Sequence, residues 1–110
     1  MNYNLTRFVE AQEYSYVDAL KEIQNGRKES HWIWYIFPQL KQLGQSSTAK
    51  YYGIESIEEA TEYLKHPVLG ERLREISQAL LLLDNNNPYQ VMGWIDGIKL
   101  CSSMTLFAEI

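Results

Sequence analysis

A chain of 110 residues, 45% hydrophobic and 22% charged, makes one globular domain and excludes a disordered one. Its net charge of -4 argues against a nucleic-acid partner, which needs a basic face, and no apolar run approaches the roughly 18 residues of a membrane span. The lone Cys101 forms no internal disulfide and no charged-then-apolar leader opens the chain, so the expected setting is the reducing cytoplasm.

In chain order, Asn4 is a candidate N-cap for a first helix from Leu5 to about Glu13. Ser15 to Asp18 resembles a capping box and predicts a second helix carrying Val17, Leu20 and Ile23, closed at Asn25-Gly26. Gly44 to Thr48 reads as a polar turn, and Ala49 to Tyr52 as a single helical turn ended by Gly53. Ser56-Ile57-Glu58-Glu59 is a capping box for a helix to Lys65. Pro67 suits the first turn of a helix to about Leu83, with Leu69, Leu73, Ile76 and Leu80 spaced by three or four. Asp84 to Pro88 is a loop, Tyr89 to Met92 a short turn, and Asp96 the N-cap of a last helix through Ile110. The helical period dominates. We expect a single all-α domain over 1–110, a compact irregular bundle of about five to seven short helices around a central aromatic helix.

That central element is the run from His31 to Phe37. Its residues favour strands by propensity, and periodicity does not decide where every position is apolar. No second convincing strand is present to pair with it. Ser30 is placed to cap a helix starting at His31, and Pro38 marks its end. Trp34 and Phe37 are then expected in the core, with His31 at the polar edge.

The blocks RFVEAQ, GRK-SHWIWYIFPQL, HPVLG-RL and KL-SSMTLF stand in order between Leu5 and Phe107. They resemble the bacterial domain-of-unknown-function family 1810. The resemblance implies a small, mainly helical fold and no established activity. Two departures stand out. Cys101 occupies a place where a basic residue is expected, and Trp94-Ile95 replaces a more turn-like pair. The family also continues past TLF with a further helical segment, so this domain is expected to be C-terminally short. An apolar surface around Phe107 and Ile110 would then favour a homodimer through the last helix.

The candidate ligand-binding residues are Lys28, His31, Trp32, Ser47, Lys99 and Ser103. Lys28, Ser30 and His31 gather charge and imidazole at the start of the aromatic helix, where backbone N–H groups favour an anion. Trp32 or Trp34 offers an indole for stacking. Ser47, in the Ser46-Ser47-Thr48 loop, is a weaker phosphate candidate. Lys99, Ser102 and Ser103 share one helical face opposite Leu100, Met104 and Phe107. The favoured function is binding of a small anionic or nucleotide-like ligand at Lys28–His31, with Lys28, His31 and Lys99 converging on one cleft. A protein interaction module is the first alternative, and an enzyme with a His31/Lys99/Ser103 site the second. Two histidines and one cysteine, widely separated, make no recognisable metal site, and no cofactor is expected. His66, before Pro67, is expected to close a turn or cap a helix.

Overall fold

One helix replaces the two expected at the start of the chain. Helix α1 runs unbroken over Thr6–Gln24, with Leu5 at its N-cap and no side-chain cap from Asn4. Nothing between Glu13 and Ser15 stops it, since neither glycine nor proline intervenes. Its buried stripe of Phe8, Gln12, Tyr16, Ala19 and Ile23 steps by three and four across the supposed break. Ser15 is therefore no cap; its hydroxyl meets the Tyr35 hydroxyl at 3.0 Å. Val17, expected on the apolar side, is exposed.

The computed structural model of the chain describes residues 4–43, 46–83 and 87–109. Within them the fold is all-α, with seven α-helices and a 3-10 turn, Lys41–Leu43. After α1 come α2 (Ile33–Ile36), α3 (Ser47–Tyr51), α4 (Ile57–Lys65), α5 (Leu69–Leu81), α6 (Pro88–Met92) and α7 (Trp94–Ala108). Extended backbone pairs only at an isolated parallel bridge between Leu40 and Ile54 among the described residues. Gly44, residues 84–86 of the expected loop, and Ile110 lie outside the described residues.

Several helix ends follow from local chemistry. Ser56 Oγ accepts from the Glu59 N–H at 3.2 Å and opens α4. His66 ends α4, and its Nδ1 accepts from the N–H groups of Val68 and Leu69, at 3.1 and 3.2 Å, where α5 begins. One residue thus serves two helices. Asn87 caps α6 by accepting from the Tyr89 N–H at 2.9 Å, with Pro88 in the first turn. Helix α7 starts at Trp94 after Gly93, whose φ of 87° places it in the left-handed region. Asp96 is therefore in the first turn, not at the N-cap.

Tyr63 of α4 joins three helices. Its ring meets Phe8 of α1 edge-on at 5.1 Å and Phe107 of α7 at 5.4 Å. Burial pushes its hydroxyl well above the ordinary tyrosine range, against the Gln12 amide that donates to it at 3.0 Å. Phe107 is thus core and not the open surface expected. A buried ion pair ties α1 to α4: Arg7 Nη2 donates to Glu59 Oε2 at 3.1 Å, with side chains 8% and 2% exposed. Arg7 also donates to the carbonyls of Asn4, Tyr51 and Gly53, so one guanidinium fixes the loop after α3. Gly53 is required there, because a Cβ would sit 2.4 Å from the Cα of Lys41, where the 3-10 turn begins.

Between α1 and α2 the backbone is held by one carboxylate. Glu22 accepts from the N–H groups of Glu29 and Ser30 at 2.7 and 2.8 Å, the Ser30 hydroxyl at 2.7 Å and the Trp32 indole at 2.9 Å. Partial burial works against its charge, but these four donors prevail and hold its pKa down at about 2. Ser30 is consequently engaged with α1 and caps nothing. The aromatic run begins its helix only at Ile33, and α2 is a single turn.

Two expectations follow. Glu22 is depressed from an ordinary 4.5, so its contribution to stability is complete above that value and is lost as pH falls through about 2. Urea unfolding of wild type and Glu22→Gln should differ by a constant amount above pH 4.5 and converge toward pH 2; a gap independent of pH would refute this role. Arg7→Met, which strands Glu59 without its partner, should cost about 3–5 kcal/mol in denaturant unfolding. The double change Arg7→Met/Glu59→Leu should recover part of that loss, and a single change costing less than about 1 kcal/mol would show the pair to be solvated.

Candidate functional site

The segment from Lys28 to Trp32 is clamped on both sides. Glu22 holds it to α1, and the Lys28 N–H donates to the Val91 carbonyl of α6 at 2.7 Å. The Lys28 ammonium reaches Asp96 Oδ2 of α7 at 2.7 Å, also donates to the Ser30 carbonyl, and lies 5.0 Å from the Trp32 ring centre. Its side chain is only 5% exposed. Lys28 is therefore a clamp whose charge is answered by Asp96.

Asp96 is shared. Its other oxygen lies 3.8 Å from the Lys99 ammonium, three residues along α7. Lys99 is held more loosely and is 25% exposed. It sits 5.3 Å from the ring centre of Trp34, which is half-buried and not part of the innermost core. Two lysines thus divide one carboxylate, and the looser of them borders a cavity of about 300 Å³. Gln39, Leu43, Trp94, Ile95, Ile98, Lys99 and Ser102 line this cavity. A second hollow of about 270 Å³, lined by Leu40, Leu43, Ile57, Ser102, Thr105, Leu106 and Glu109, adjoins it through Leu43 and Ser102. The result is an apolar trough along α7 with one cation at its rim.

The structure brings Lys28 and Lys99 together through Asp96, with Trp32 beneath the first. His31 is exposed, and no described contact ties its imidazole to either lysine. The helix terminus expected to bind an anion there is displaced, since α2 is four residues long and starts two residues later. Ser47 stands exposed in the first turn of α3, one residue after the actual N-cap, Ser46, and borders neither hollow. Ser103 departs most from expectation. It is 0% exposed and lies on the buried stripe of Gly97, Leu100 and Leu106, not on a polar face with Lys99. Its hydroxyl and the Trp34 indole N–H are buried without a described partner. A serine enclosed in this way is shut off from any substrate at Lys99. Among the described residues no group of three His, Cys, Asp or Glu side chains is placed to hold a metal ion.

Two pairs of residues at the trough have spacings that sequence reasoning did not use. Asp96 and Lys99 have the i, i+3 spacing of a helical ion pair. Trp94 and Ile98 have the i, i+4 spacing of a shared face, although Trp94 was weighed only as a departure from a turn-like pair.

The solved structure of the conserved hypothetical protein Rv1873 from Mycobacterium tuberculosis is similar to this chain with a TM-score of 0.95 and 46% sequence identity. The match covers 97% of this chain and 76% of that one. No curated protein matches. Among the described residues no helix is long and apolar enough to cross a membrane. A model described as "Protein of unknown function (DUF1810)" matches residues 2–110, and the chain belongs to that family.

Proposed function

We propose that the protein binds a small anionic ligand in the trough beside α7, with Lys99 as the group that meets the anion. The observation that supports this most is the shared carboxylate. Asp96 answers Lys28 at 2.7 Å but Lys99 at only 3.8 Å, which leaves the Lys99 ammonium the weaker-held charge, at the rim of an apolar hollow. A concave apolar site with a few polar groups is the usual form of a small-molecule pocket, and about 300 Å³ is the lower end of its size range. Gln39 and Ser102 supply neutral hydrogen-bonding groups at the same hollow. Lys28 and Trp32 act behind the site, keeping Asp96 in place.

A second reading is an interaction surface. Leu43, Ile57, Trp94, Ile95 and Ile98 are all exposed along the two hollows, an apolar face of the kind partners cover. On this reading a homodimer would use the first half of α7, since Phe107 is packed against Tyr63.

Thermal unfolding with ribose 5-phosphate, AMP and adenosine separates the readings. An anion site predicts stabilisation by the two phosphorylated compounds, reaching about 2.7 kcal/mol at 100 times the dissociation constant. Lys99→Met should weaken both by about tenfold, the loss of one charge-assisted contact. No stabilisation by either phosphate at concentrations up to about 10 mM would reject the reading. Sedimentation equilibrium then addresses the alternative: a mass of 12.9 kDa would exclude the dimer.

A further inference from the structure

Trp94 is large, apolar and 69% exposed, at the first position of α7 and in the lining of the Lys99 cavity. A lone exposed tryptophan is ordinarily mobile. This one is braced. Tyr89 of α6 stacks on it with ring centres 4.7 Å apart and planes 29° from parallel. Tyr89 is in turn fixed by the backbone beneath it. Gly97 lies so close that a Cβ there would stand 2.8 Å from the Tyr89 ring and 3.0 Å from the Pro88 carbonyl oxygen. Only a residue without a side chain lets α6 lie against α7 in this way. The sharp turn between the two helices, at Gly93 with φ 87°, completes the arrangement.

The brace covers one face of the indole and leaves the ring at the cavity. An aromatic platform held rigid and open to solvent has little ordering entropy left to lose when a second ring stacks on it. Lys99 lies five residues further along the same helix and lines the same hollow. Ile95, Ile98 and Leu43 make the aliphatic part of the remaining wall, and Gln39 and Ser102 its polar part.

We infer that the ligand carries a planar aromatic ring system beside its anionic group, as an aryl or nucleoside monophosphate does, and that the ring stacks on Trp94 while the phosphate meets Lys99. This rests on the anion-binding reading above and adds the chemical class of the ligand. A sugar phosphate lacks the ring and would use Lys99 alone. A purely apolar guest would leave the Lys99 ammonium with only its long Asp96 pair and the Trp34 ring. Trp94, not Trp32 or Trp34, is the stacking residue, because Trp32 is buried and Trp34 lies under Lys99.

The test compares AMP with ribose 5-phosphate on wild type, Trp94→Leu and Lys99→Met, by indole fluorescence titration and by thermal unfolding. Stacking of one base contributes a factor of about ten or more in affinity. AMP should therefore bind about tenfold more tightly than ribose 5-phosphate to wild type, and that advantage should vanish in Trp94→Leu. Lys99→Met should weaken both compounds by the same factor. Tyr89→Leu, which removes the brace but keeps the indole, should weaken AMP selectively. If AMP and ribose 5-phosphate bind equally, or Trp94→Leu weakens both alike, the aromatic platform is overturned and the anion site stands. If neither binds, both readings fall together. Trp94 is exposed, so its replacement is not expected to disturb folding, and the melting temperature without ligand checks this directly.

Discussion

The Glu22 carboxylate is the constraint from which the rest of the arrangement follows. It stands near the end of a 19-residue helix and takes four donors from the next ten residues of chain. A carboxylate so satisfied cannot turn away without leaving several backbone and indole donors unpaired. The chain after Gly26 is therefore folded back against α1, and Trp32 enters the core with its N–H already satisfied. Lys28 is delivered to Asp96 and to the Val91 carbonyl at the same time. The first helix and the last are thus connected through a five-residue strap that has no regular structure of its own. The trough along α7 takes its position from that connection.

Much of the fold could be read from the sequence where one local rule acted alone. Ser56 opened α4, Asn25-Gly26 ended α1, and His66 joined α4 to α5, each by capping chemistry that depends on residues nearby. The failures lie where a local signal competed with a distant partner. Ser15 has the spacing of a cap, but the apolar stripe of α1 continues through it and its hydroxyl finds Tyr35. Ser30 has the same chemistry as Ser56, yet Glu22, eight residues back, claims both its N–H and its hydroxyl. Such claims depend on tertiary proximity, and no spacing rule contains them.

The candidate site was legible in the same uneven way. Lys28 stands out in the sequence as a charge beside indoles and Lys99 as a lysine beside serines, and both contact Asp96, which the sequence marks only as a helix cap. Asp96 has the chemistry of an N-cap, but Gly93 already opens α7, so Asp96 falls in its first turn. The faces of a helix follow from spacing and not from where it starts, so Ser103 departs from expectation for a different reason. Its stripe steps by three through Gly97, Leu100 and Leu106, so it is carried into the core with its hydroxyl unpartnered. Polarity alone suggested a surface, but a serine is small enough to be enclosed where the helix needs close packing.

The unequal sharing of Asp96 gives the two lysines different tasks. Lys28 is nearly enclosed and tightly paired, and its displacement would break the strap between α1 and α7. Lys99 is looser and more exposed, so an incoming anion competes with a long ion pair screened by solvent and can leave the ammonium over the Trp34 ring. On the proposed reading the ligand therefore takes Lys99 without disturbing Lys28, and Asp96 continues to hold the strap. The aromatic platform has its own support, since Tyr89 packs on Gly97 and Pro88, while the Lys28 N–H holds the same helix α6 through the Val91 carbonyl. Binding then requires little rearrangement of the scaffold, because the groups that hold the fold together and those that face the cavity share one carboxylate but use different oxygens of it.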